Sequence, residues 1–180
     1  MAYYQNGTVA DAKIEVGNFA MYVGALGASA AAIVVNLGAG MVKSFAYVAE
    51  SYTSQSGNSV DPINGVSKET ATIGIDLMEY DGSSFSALSG GVITGTSGSL
   101  TVGGQTSVQL GKAIKLINTR KLASGSTQTT TYVLPNVFMD GGYTMNPKSD
   151  NDADPVNVYS FNLLAKQYAT AGTIFTKTVG

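Results

Sequence analysis

Ser67 to Gly91 reads SKETATIGIDLMEYDGSSFSALSGG, and this stretch decides the fold class. Ala71, Ile73, Ile75 and Leu77 alternate with Thr70, Thr72, Gly74 and Asp76. Successive side chains of a strand point to opposite faces, so the segment predicts a strand with one apolar and one polar face. Asp81-Gly82 is a turn signal. Asp81 or Ser83 can then cap a short helix, because their side-chain oxygens accept the free N–H groups of its first turn. Phe85 and Leu88 share one face of that helix, and Gly90-Gly91 stops it. The unit is a long half-buried strand, a tight turn and a plug helix of about two turns, able to close one end of a β-structure.

Composition supports strands elsewhere. The chain has 180 residues, which suits one domain over residues 1–180 with a full core. Hydrophobic residues make up 44%, too many for a disordered chain. Ten Tyr, 22 Gly and abundant Thr, Ser and Val favour an all-β chain with many turns. Charged residues are only 12%, about half the usual share, which fits a surface covered by copies of the same chain. Net charge is −2, so the basic footprint of a nucleic-acid binder is missing.

Outward from the opening stretch, residues 1–12 read as an N-terminal arm with an aromatic pair at Tyr3-Tyr4. Its Asn6-Gly7-Thr8 sequon is a weak signal. No charge occurs between Glu15 and Lys43, a length that could span a bilayer. Five glycines and two asparagines interrupt that run, so it predicts strands at Lys13–Val23 and through Ile33–Val35, buried between layers. Met41 to Thr53 predicts a strand in which Lys43, Phe45 and Tyr47 alternate against Val42, Ala46 and Val48. Residues 53–66 form a long polar loop, so the flanking strands predict an extended hairpin arm. Ser99–Val102 and Ser107–Leu110 flank Gly103-Gly104 as a second hairpin.

Lys112 to Leu122 predicts a strand carrying the one basic cluster, Lys112, Lys115, Arg120 and Lys121, read as a solvated face or an intersubunit ion-pairing face in preference to a nucleic-acid contact. The strand after it, from Thr129, breaks near Pro135, which signals an edge or a bulge. Val156 to Tyr168 is the last long strand, and residues 169–180 form a tail whose Ile174-Phe175 can add to a sheet edge.

The chain has no Cys and no His, which removes disulfides, the usual catalytic triads and zinc sites. Phosphate-loop and nucleophile-elbow motifs are absent. Asp150-Asn151-Asp152-Ala153-Asp154 opens with calcium-loop spacing, but Pro155 replaces the turn glycine and Phe161 the bidentate Glu. Asp76, Glu79 and Asp81 sit at a strand end and its turn without special support for a catalytic pair. The expectation is a non-enzyme with no catalytic, cofactor or metal residues.

In combination, ATIGIDLMEYDGSSFSALSG, TYVLPNVFMDGGYTM, PKSDNDADPV and VYSFNLLA, with Val60-Asp61-Pro62 in the long loop, resemble the tail tube (major tail) proteins of tailed bacteriophages. The resemblance covers about Met41 to Lys166. It implies a mainly β fold, a β-sandwich or half-barrel with one short flanking helix, whose sheets join across subunits into a ring barrel. Rings of six copies would stack into a hollow tube in the virion tail, assembled in the host cytoplasm. Tail tip or baseplate proteins, tail terminator proteins and, in contractile tails, a sheath would be its partners. Tape-measure protein and DNA would pass through the lumen without specific binding. Polar strand faces would line the lumen, with Thr70, Thr72 and Asp76 as candidates. The loop would bridge subunits through Tyr52, Asn58, Asp61, Pro62, Ile63 and Asn64. Alternatives are a capsid decoration protein, the tube of a secretion or contractile injection system, and a membrane-associated adhesive protein resting on the uncharged run.

Overall fold

The computed structural model describes residues 19–38, 40–54, 63–78, 82–96, 98–102, 109–122, 124–149, 151, 157–169 and 172–180. They form a mainly β protein of half-barrel character. In chain order the elements are β1 (Phe19–Ala25), β2 (Val35–Asn36), β3 (Gly40–Ser54), β4 (Ile63–Leu77), α1 (Gly82–Ser89), β5 (Ile93–Thr96), β6 (Ser99–Val102), β7 (Lys112–Lys121), β8 (Thr127–Asn146), β9 (Val158–Lys166) and β10 (Thr176–Val179). The main sheet is antiparallel throughout, in the order β2-β1-β7-β8-β9-β4-β3. β10 pairs with β8 over residues already bonded to β7, so it occupies the edge that continues from β9. The sheet curls until β1 approaches β3.

The alternation in β4 sets the core. Ala71, Ile73, Ile75 and Leu77 are buried, in register with Ala165, Leu163, Phe161 and Tyr159 of β9. Met21, Val23, Ile114, Leu116, Leu134 and Val137 complete the same apolar layer. The plug helix forms as the sequence predicts, with Phe85 and Leu88 buried. The Phe85 ring packs on those of Phe161, Tyr159 and Tyr143, at centroid distances of 5.0, 5.2 and 5.7 Å. Gly90 and Gly91 adopt positive φ (65° and 94°) where the helix stops, a conformation glycine takes without steric cost.

Four expectations need correction. First, the segment after β1 does not supply a long second strand. Only Val35–Asn36 pair, Ile33 is buried against Gly24, and Val34 and Val35 are exposed. Second, Val42 faces inward together with Phe45 and Tyr47, because a bulge between Val42 and Ser44 lets Lys43 occupy an extra position. Third, Ser99–Val102 pairs backwards with Ile93–Thr96. The segment 103–108, expected in a hairpin, lies outside the described residues. Fourth, β8 runs unbroken through Pro135. The signal for a bulge was right, since the β7–β8 register shifts there, between Ile114↔Leu134 and Lys112↔Val137. A second irregularity, between Met139 and Tyr143, coincides with Gly141 and Gly142 at φ of 78° and 91°.

Candidate assembly surface

β3 is an edge strand of 15 residues. Its inner neighbour is β4, and among the described residues nothing pairs with its other edge. Such an edge presents a row of unpaired N–H and C=O groups, which proteins blunt with charges, proline or bulges. Here the bulge at Lys43 precedes Phe45, Ala46, Tyr47, Val48 and Ala49, which carry no charge. Phe45, Tyr47 and Val48 are 37%, 48% and 50% exposed.

Inside the curl, where β1 nears β3, an aromatic cluster forms. Phe45 lies 5.7 Å from Tyr132 and 5.2 Å from Phe175, and Phe19 lies 6.0 Å from Tyr132. Phe19, Val42, Phe45, Leu116 and Tyr132 line an open apolar cleft of about 220 Å³. The barrel is therefore unclosed along one side, with apolar side chains showing through the gap.

The opposite face of the sheet is polar. Register places Thr70, Thr72 and Asp76 together on it, beside Lys166, Leu164 and Ser160 of β9. Thr72 is exposed and Thr70 half-buried. Asp76 is only 8% exposed, because two neighbours cover it. Ser160 donates its hydroxyl to Asp76 Oδ1 at 2.6 Å, and Lys43 Nζ lies 3.3 Å from Asp76 Oδ2. The bulge is what brings Lys43 there. On this face Lys68 also pairs with Glu50 at 3.2 Å, and Lys166 lies over the Phe138 ring. Across β3, β4 and β9 the described face thus carries two balanced ion pairs and one further lysine.

β3 and β4 continue past β9 as a two-stranded ribbon, pairing as far as Ser54↔Ile63. The extended hairpin arm is present, and its ladder reaches into the segment expected to be loop. Tyr52 pairs with Gly65, and Asn64 with Thr53. Asn58, Asp61 and Pro62 lie outside the described residues. So do residues 1–12, residues 13–18 of the strand expected from Lys13, Glu79, Asp81 and Asp150, Asp152 and Asp154 of the acidic loop.

A polar clasp ties the ribbon's base to the chain after β9. Tyr47 donates its hydroxyl to Glu69 Oε1, and Gln167 donates to Glu69 Oε2 at 2.8 Å. These bonds hold the Glu69 carboxyl below the usual carboxylate range, the Tyr47 bond being the larger cause. The same bond raises the Tyr47 phenol, since ionising it would remove the donor beside a carboxylate. Sequence reading missed this clasp and the Lys43–Asp76–Ser160 cluster. The strand alternation did signal which residues share a face, but not which strands are neighbours.

Among the described residues no group of three Asp or Glu gathers as a metal site. No described helix is long and apolar enough to cross a membrane. No known family model matches the chain, and no curated protein matches it in sequence.

Proposed function

We propose that this chain is a structural virion protein that self-assembles into six-membered rings, which stack into the hollow tail tube conducting DNA during ejection. The observation that carries the reading is the β3 edge, uncharged from Ser44 to Ala49 and unpaired among the described residues, beside an open aromatic gap. A lone soluble protein with that edge is poised to add a strand from another copy. Closing the curl across copies removes edges on every subunit at once, as barrels do. Two further features support it. The 12% charge content suits surfaces buried between copies. The Thr70–Thr72–Asp76 face is nearly balanced in charge, as a wall must be if phosphates are to slide past it rather than bind.

Negative-stain electron microscopy of the purified protein, without detergent and over a concentration series, tests the proposal. Rings with a central hole, or hollow tubes, are the expected result. Dispersed monomers at every concentration, with a preformed tail-tip complex supplied as initiator, would overturn it and favour a decoration protein. Material recoverable only in detergent would favour the membrane-associated reading.

A further inference from the structure

We infer that β10 is an exchangeable strand: on assembly, residues 174–180 of one copy leave their own β8 and pair with Thr129–Val133 of a second copy. The inference rests on the self-assembly proposed above. The occupant of this site is already visible, seated from the same chain. β7 covers one edge of β8 over these residues, and among the described residues β10 alone covers the other. Thr129 and Gly180 exchange both N–H···O bonds, at 3.0 and 2.9 Å. Main-chain pairing of this kind is reproduced identically by a second copy.

All four residues of β10 are exposed. The anchors lie just before it, where Ile174 enters the core and Phe175 packs on Phe45, Tyr47 and Tyr132. Lys177 Nζ also lies 5.4 Å from the Tyr132 ring centre. If the strand leaves, that aromatic cluster and the β8 edge are uncovered together, so they need a replacement strand. Another copy's β10 fits both.

The connection to β9 is where exchange begins. Tyr168 and Thr173 form an antiparallel bridge, with Tyr168 N–H donating to the Thr173 carbonyl at 3.0 Å. Between them Ala169 sits at φ 56°, alone among described non-glycine residues in having positive φ. A side chain there crowds the following carbonyl, so Ala169 is strained, and a change of its conformation on exchange relieves the strain. Short hinges under strain favour swapping over self-pairing.

The absence of native cysteine makes the test clean. Thr130 and Val179 are opposite each other, next to the doubly bonded Thr129–Gly180 pair, so theirs is the closer, non-bonded kind of pair. That spacing suits a disulfide. The double variant Thr130→Cys/Val179→Cys is oxidised once while dilute and once after assembly, then run on non-reducing gels. Dilute protein should give a cross-linked monomer that assembles only after reduction. Assembled protein should give a ladder of covalent multimers. Cross-linked monomers alone from assembled material, or unimpeded assembly of the locked monomer, would overturn the exchange. A ladder from particles that are neither rings nor tubes would leave the exchange standing and sink the tube reading. Tubes without a ladder would do the reverse. Ala169→Gly relaxes the hinge without cysteines and keeps the idea falsifiable if the double variant misfolds. It should raise the concentration needed for assembly severalfold, and an unchanged or lowered threshold would count against exchange.

Discussion

Replacing Phe85 by Ala tests whether α1 is part of the core or an ornament on it. Phe85 is fully buried, and its ring meets three other aromatic rings within 5.7 Å. Fully buried Phe→Ala changes cost about 3–5 kcal/mol, from lost transfer energy plus the cavity left behind. Aromatic contacts add about 0.5–1.5 kcal/mol per pair beyond area, which puts Phe85 toward the upper half of that range. For a domain of this size 1 kcal/mol moves Tm by about 2–4 °C, so a loss of about 4 kcal/mol lowers it by about 8–16 °C. Phe85→Leu keeps most of the apolar volume and should cost roughly 1.5 kcal/mol or less. Thermal unfolding followed by circular dichroism reads both. A fall below about 3 °C for Phe85→Ala would mean that the helix does not plug the barrel and that the ring cluster is not a unit.

Gly82→Ala should destabilise the fold, although alanine is the better helix former by about 1 kcal/mol. Its Cβ would lie 2.3 Å from the Thr96 and Ser99 carbonyl oxygens, a clash with backbone worth about 1–3 kcal/mol, and a raised Tm would refute the close approach. Asp76→Asn removes the ion pair with Lys43 but keeps an acceptor for Ser160, so about 1 kcal/mol should be lost in urea unfolding. An unchanged midpoint would show that the pair contributes nothing. Glu69 should titrate below an ordinary glutamate in a carbon-detected NMR experiment, and Tyr47→Phe should move it back up. Its carboxylate is favoured in the folded state, so the clasp's contribution is present above the unfolded carboxyl pKa and fades as pH falls through the folded one. A Tyr47→Phe titration identical to the native one would dismiss the clasp.

Much of this architecture was legible because strand alternation is a local signal. Ala71–Leu77 and Phe85–Leu88 declare their faces within a few residues, and burial follows. What stayed hidden depends on pairing between distant segments. Lys43 reads as one more alternating position until β4 is laid beside it, when the skipped register turns Lys43 toward Asp76 and Val42 toward the core. Pro135 reads as a break, yet β7 pairs with β8 on both sides of it, and the missing N–H falls where that ladder shifts. Ser99–Val102 reads as half of a hairpin with Ser107–Leu110, yet it pairs with Ile93–Thr96, beside the start of α1. Gly82 and Gly95 let the helix start press directly on that hairpin, a contact neither segment reveals alone. The aromatic cluster needed β1, β3, β8 and the segment before β10 to converge, so no window of sequence contains it.

Under the proposal, the free β3 edge sets how assembly depends on concentration. A partner strand laid along Ser44–Glu50 would form about seven ladder bonds, roughly one per residue pair. At a net 0.5–1.5 kcal/mol each they contribute about 4–10 kcal/mol. Association costs about 4–15 kcal/mol in lost freedom, so a single edge contact is close to break-even. Exposed Phe45, Tyr47 and Val48 add burial, but two copies joined head to tail still leave one free edge at each end. Only the contact that closes a ring is intramolecular and escapes most of the association cost. Open intermediates are then scarce, and assembly should switch on over a narrow concentration range, with monomers and closed particles as the two visible species in analytical ultracentrifugation. Val48→Lys, on the polar face beside Thr70, should leave monomer stability within about 0.5 kcal/mol and raise that threshold at least tenfold through repulsion between copies. A smooth ladder of dimers, trimers and longer open chains would refute closure. It would mean that the β3 edge polymerises without a ring to end it.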